Sequence, residues 1–119
     1  MAEPITILFV EDDSHARAST AEILARHGFA MLVASGGEEA LRLLENRKID
    51  LLFTDIVMPG MDGVELARRA RQRQPEVKIL FITGYYSRGA EAARVGKLVY
   101  KPIRETQLEQ AIRSLIAEP

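Results

Sequence analysis

Two stretches of this chain, Ile5-Thr6-Ile7-Leu8-Phe9-Val10 and Val77-Lys78-Ile79-Leu80-Phe81-Ile82, are β-branched and aromatic with scarcely a polar interruption. A strand with one face in water alternates apolar and polar residues, so unbroken runs of this kind predict strands covered on both faces. Helix-patterned segments lie between them. Ser14 is placed to cap a helix over residues 15–27 that ends at Gly28, a residue suited to the left-handed backbone after a helix. A second strand is expected at 30–34, and Ser35-Gly36-Gly37 then turns into a helix opening on Glu38 and Glu39. Residues 50–54 form the third strand. The turn formers Met58-Pro59-Gly60-Met61-Asp62-Gly63 lead into a helix over 64–74, closed by Pro75. The fourth strand covers 77–83 and a short fifth covers 97–100. A final helix over 105–117 carries Leu108, Ile112, Leu115 and Ile116 on one face. Residues 84–96 read equally as a short helix, from their alanines, or as a loop, from their glycines. Strands alternating with helices imply right-handed crossovers and an α/β, doubly wound, five-stranded parallel sheet.

With 119 residues there is room for one domain, and 1–119 is read as a single unit with neither repeat nor linker. The 47% hydrophobic and 28% charged residues are those of a globular chain with a buried core. Sixteen Lys and Arg against seventeen Asp and Glu leave a net charge of -1, so no global field favours nucleic acid or an anionic membrane. The absence of cysteine excludes a disulfide scaffold, thiolate zinc sites and cysteine catalysis. No apolar run approaches the ~18 residues of a membrane span, and Met1-Ala2-Glu3-Pro4 does not open a signal peptide, so the cytoplasm is the expected location.

In open parallel sheets, ligands bind beyond the carboxyl ends of the strands. The residues there are Glu11-Asp12-Asp13, Asp55, Thr83-Gly84 and Lys101-Pro102. Carboxylates gathered without a partner repel, each close pair by roughly 4 kcal/mol at ~4 Å and an effective dielectric of ~20. They call for a cation, and oxygen donors without His or Cys suit Mg²⁺. Lys101 adds a fixed positive charge and Thr83 a neutral hydroxyl donor, which together describe a phosphoryl site. Asp55 is the natural nucleophile, since a carboxylate can form an acyl phosphate.

Val10-Glu11-Asp12-Asp13, Thr54-Asp55-Ile56-Val57-Met58-Pro59-Gly60-Met61-Asp62-Gly63, Phe81-Ile82-Thr83-Gly84 and Tyr100-Lys101-Pro102 together resemble the receiver domain of bacterial two-component response regulators. The resemblance spans nearly the whole chain and rests on joint order and spacing. It implies a flavodoxin-like strand order 2-1-3-4-5. It also implies that Asp55 accepts a phosphoryl group from a phosphohistidine of a sensor histidine kinase or phosphotransfer protein. Asp12 and Asp55 would bind Mg²⁺ directly, Glu11 mainly through water, and the Val57 backbone carbonyl would complete the protein ligands. Thr83 would follow the phosphoryl group, Lys101 would pair with it, and the Lys101–Pro102 bond would be cis.

Two departures stand beside the matches. The step from Thr83 to Lys101 is about four residues shorter than in typical receivers, so the fourth helix should be shortened or replaced by a loop. Many receivers carry a Tyr or Phe three positions before the lysine that turns inward on phosphorylation, and here it is Leu98. Phe81-Ile82-Thr83-Gly84-Tyr85-Tyr86 resembles a subgroup with a Phe-x-Thr-Gly-x-Tyr signature that often stands alone and accompanies kinases of the HWE type. Ordering of residues 84–96, with Tyr85 or Tyr86 moving against them, is the expected replacement for the aromatic relay. Val57 and Tyr85 overhang the phosphoryl position in this reading, and neither orients water well, so autodephosphorylation should be slow.

Several residues have plain readings. Asp13 serves equally well as a helix N-terminal anion and is left out of the site. His15 is expected exposed on a first turn. Arg68, Arg69, Arg71 and Arg73 are expected on a solvated helix face, and Met58 and Met61 as packing residues. The function expected is a phosphorylation-activated switch that is not an enzyme beyond its own phosphorylation and dephosphorylation. It would have no output domain and would signal through protein contacts. The leader before the first strand is short, which favours a self-contained chain over a piece of a hybrid kinase. The shortened fourth helix weighs towards a monomer.

Overall fold

The computed structural model describes residues 3–84 and 89–119. Tyr85 and Tyr86, to which the sequence assigns a switching role, lie outside them. Five strands and five helices alternate: β1 (Thr6–Val10), α1 (Ser14–Arg26), β2 (Ala30–Ala34), α2 (Gly37–Asn46), β3 (Leu51–Asp55), α3 (Gly63–Arg73), β4 (Lys78–Thr83), α4 (Gly89–Ala93), β5 (Lys97–Tyr100) and α5 (Glu105–Ala117). The strands form one parallel sheet in the order β2-β1-β3-β4-β5, the doubly wound arrangement expected.

Strand side chains alternate between the two faces, and the unbroken apolar runs supply a core to each. Leu8, Val10, Leu52, Ile79 and Phe81 pack with Ala40 and Leu44 of α2, Val64, Leu66 and Ala67 of α3 and Ala92 of α4. Ile7, Phe9, Phe53, Leu80 and Ile82 pack on the other side with Leu24 of α1 and Leu108, Ile112 and Leu115 of α5. Phe9 and Phe53 stack with ring centroids 4.8 Å apart. Each such buried side chain contributes about 1.5–3 kcal/mol relative to exposure, offset by the entropy of ordering the chain. Among the described residues no helix is long and apolar enough to cross a membrane.

The structure corrects the start of α1. The capping side chain is Asp13, whose carboxylate accepts a 2.8 Å hydrogen bond from the Ala16 N–H, and Ser14 is the first helical residue. A carboxylate both caps and complements the helix dipole, so the acid outcompetes the hydroxyl. Residues 84–96 prove partly helical, with the five-residue α4 followed by a turn at 94–96. The packing is close at Gly89 and Gly96: a Cβ on Gly96 would stand 2.6 Å from Ile79 Cβ, and one on Gly89 would stand 2.6 Å from the Tyr100 hydroxyl.

Gly63 fixes the loop that follows β3. Its N–H donates to the Ile56 carbonyl at 2.8 Å, and a side chain there would overlap the Asp55 carbonyl. Gly36, by contrast, has open space at its Cβ position and extended backbone. Gly63→Ala should therefore lower stability by about 1–3 kcal/mol, while Gly36→Ala leaves it nearly unchanged. Urea denaturation of the two variants checks this, and equal midpoints would contradict it.

Candidate functional site

Parallel strands point their carboxyl ends to one edge of the sheet, and there the fold gathers the residues singled out from sequence. Glu11 follows β1, Asp55 is the last residue of β3, Thr83 ends β4 and Lys101 follows β5. Asp55 is paired in register with Ile82, so Thr83 lies one step beyond the phosphoacceptor candidate on the adjacent strand. The Thr83 carbonyl accepts a 2.9 Å bond from the Lys101 N–H, which ties the ends of β4 and β5 together.

Lys101 carries the contacts that join the strand ends. Its Nζ lies 2.7 Å from Asp55 Oδ2 and 3.8 Å from Glu11 Oε1. Both carboxylates are buried, Glu11 at 5% and Asp55 at 7% exposure, so the ammonium compensates two acids that water reaches poorly. The second oxygen of Asp55 accepts from the Val57 N–H at 3.3 Å, and Glu11 Oε2 accepts from the Asp13 N–H at 3.1 Å. Thr83 is fully buried. Asp12 is exposed on the loop after β1. Val57 is 45% exposed. The Lys101–Pro102 bond is cis, as the resemblance implies.

The donor set suits a hard divalent cation, being all oxygen: three carboxylates and a loop carbonyl. Among the described residues no three acids already stand at metal-holding spacing, and the lysine ammonium occupies the notch between Asp55 and Glu11. Glu11, Asp12 and Asp55 are the acids that could turn to such a cation.

The family model described as response regulator receiver domain matches residues 7–113. The chain belongs to that family. It is 37% identical over 114 residues to the response regulator receiver protein CpdR of Brucella abortus, covering 92% of this chain and 95% of that protein. It is also 31% identical to the sensor kinase CckA of the same organism, where it spans only 12% of the longer protein. Among solved structures, the CheY-like receiver domain protein of Methanospirillum hungatei superposes with a TM-score of 0.89 at 30% identity, over 95% of this chain and 94% of that one. The response regulator TrrA of Thermotoga maritima, solved in complex with Mg(2+)-BeF, superposes with a TM-score of 0.87 at 29% identity, over 93% and 98% of the two chains.

Two supports of this receiver's site carry no sequence signal beyond spacing. Arg17, on the first turns of α1, donates from Nη1 to the Glu11 carbonyl at 2.8 Å and so anchors the strand end from the helix side. The Asp13 N–H holds the Glu11 carboxylate, so the residue set aside as a helix cap steadies the site through its backbone. Of the plain readings, His15 is exposed and Met58 is buried in the core beneath the loop.

Burial raises the Glu11 carboxyl above its ordinary value; the neighbouring Asp12 and Asp55 add to this, while the Asp13 N–H and Lys101 oppose it. Burial works against the Lys101 charge, yet its bond to Asp55 and the charges of Asp55, Glu11 and Asp12 prevail and raise it. For Glu11 the sign is destabilising: the folded state holds its proton more tightly, so ionisation weakens folding at neutral pH, and the penalty fades as pH falls through the raised value towards 4.5. With metal chelated, Glu11→Gln should therefore raise the urea midpoint at pH 7 and lose that advantage near pH 4.5. A variant less stable than wild type at pH 7 would contradict this.

Proposed function

We propose that this receiver is a phosphorylation-activated switch of a two-component system, taking a phosphoryl group on Asp55 in a Mg²⁺-dependent reaction. The observation that carries the reading is the buried Asp55 carboxylate at the sheet's carboxyl edge, ion-paired at 2.7 Å with Lys101. One oxygen of Asp55 forms the new P–O bond as the P–N bond of a donor phosphohistidine breaks, and the imidazole leaves with the electron pair and gains a proton. The donor is a sensor histidine kinase or a phosphotransfer protein; the HWE class follows from the Phe-x-Thr-Gly-x-Tyr likeness.

A Mg²⁺ ion held by Asp12, Asp55 and the Val57 carbonyl, with Glu11 acting through water, would neutralise charge developing on the transferring oxygens. Lys101 transfers its ion pair from the free carboxylate to a phosphoryl oxygen, and Thr83 donates its hydroxyl to another. The movement of Thr83 and Lys101 changes the ends of β4 and β5, and through them the surface offered to protein partners. Nucleic acid, a membrane surface and self-association have no part in this reading.

Incubation with Mg²⁺ and acetyl phosphate should add one acid-labile phosphoryl group by intact mass. Asp55→Asn and chelation of Mg²⁺ should each abolish it. Phosphorylation retained in Asp55→Asn would move the acceptor elsewhere. Phosphate loss should be slower from wild type than from Val57→Asn, because the exposed valine cannot orient an attacking water. Faster loss from wild type would contradict that role.

A further inference from the structure

The arginines of α3 do not share one fate. Arg69 pairs with Glu65 at 2.9 Å, Arg73 with Glu45 at 3.4 Å and Arg68 with Glu91 at 3.9 Å. The side chain of Arg71 has no hydrogen bond or ion pair among the described residues, and the residue lines a cleft at the opposite end of the sheet from Asp55. Lys78 at the start of β4, Arg94 after α4 and Lys97 at the start of β5 line the same cleft, which measures about 280 Å³. Four basic residues from four segments thus line one small space. The acid lining it is Glu118, whose backbone carbonyl accepts from Lys78 Nζ at 3.0 Å. The side chains of Arg94 and Lys97, like that of Arg71, have no carboxylate partner among the described residues. In a chain of net charge -1, this is a local excess of positive charge without its counter-charge.

We propose that this cleft binds a small anion with two linked phosphoryl groups, as free pyrophosphate or as the diphosphate of a nucleotide. Guanidinium groups match the paired oxygens of phosphoryl groups, and lysines add point charges. A diphosphate carries more than one negative charge near neutrality, which suits a cleft lined by four basic residues and one acid. The cleft is compact, which suits a small polyanion better than an extended acidic segment. Along β4 the distance from Lys78 to Thr83 is roughly 16 Å, so the site is separate from the phosphoryl site and does not depend on it.

Amide NMR titration of the whole chain, free of Mg²⁺ and at low salt, with pyrophosphate and separately with ADP tests this. Saturable shifts are expected at Arg71, Arg94, Gly96 and Lys97 with a Kd below about 1 mM, weakened roughly tenfold or more in Arg71→Ser/Lys97→Ser. The control Arg42→Ser/Arg104→Ser removes the same charge elsewhere and should leave the Kd unchanged. Tighter binding of ADP assigns the nucleotide, and equal binding assigns the diphosphate alone; either supports the site. Shifts that do not saturate, that centre on Asp55 and Lys101, or that weaken equally in the control would overturn the proposal. A tetraglutamate peptide binding as tightly as pyrophosphate would also overturn it, in favour of an acidic protein segment.

Discussion

A single ammonium group balances the carboxyl edge of this sheet. Lys101 Nζ sits 2.7 Å from Asp55 and 3.8 Å from Glu11, and both carboxylates are nearly shut off from water. Removing water from two acids is unfavourable unless a cation stands close, and removing one member of such a pair leaves the other exposed to the full penalty. The three residues come from the ends of three different strands, so the interaction can exist only when β1, β3 and β5 are in register around the sheet. Fold and site therefore depend on each other. The apolar strands bring the acids together, and the lysine makes that gathering tolerable.

The same arrangement explains how the site can respond to chemistry. A free Asp55 satisfies Lys101 on one oxygen and the Val57 N–H on the other. In the proposed phosphorylated state one of those oxygens is esterified, and Lys101 and Thr83 must follow the new charge. Thr83 is fully buried, and its carbonyl is bonded to the Lys101 N–H, so neither can shift without the other. At the start of α4, Gly89 lies against the Tyr100 hydroxyl, which gives movement at the ends of β4 and β5 a direct mechanical route to α4.

Much of this was legible in the sequence because it rests on pattern. Unbroken apolar runs at 5–10 and 77–82 announce doubly covered strands, and strand-end acids with a distant lysine announce a charge-compensated site. The motif Met58-Pro59-Gly60-Met61-Asp62-Gly63 carried the family, and the family model matching residues 7–113 agrees. What sequence misjudged or missed depends on geometry between neighbours. Ser14 and Asp13 are both competent caps, and Asp13 takes the position, with its carboxylate on the Ala16 N–H. The hold of Arg17 on the Glu11 carbonyl depends on where α1 lies against β1, which no local pattern encodes. The helical content of 84–96 was undecidable because alanine and glycine pull in opposite directions; packing of Gly89 and Gly96 against Tyr100 and Ile79 accompanies the short helix that forms.

In the proposed Mg²⁺-dependent reaction, Lys101 competes with the divalent cation for the Asp55 and Glu11 carboxylates. Calorimetric titration of Mg²⁺ into wild type and Lys101→Met tests it most directly. Removing the ammonium should tighten Mg²⁺ binding several-fold, since the ion then meets uncompensated carboxylates and no opposing charge. Mg²⁺ affinity unchanged or weakened in Lys101→Met would show that the lysine does not occupy that role.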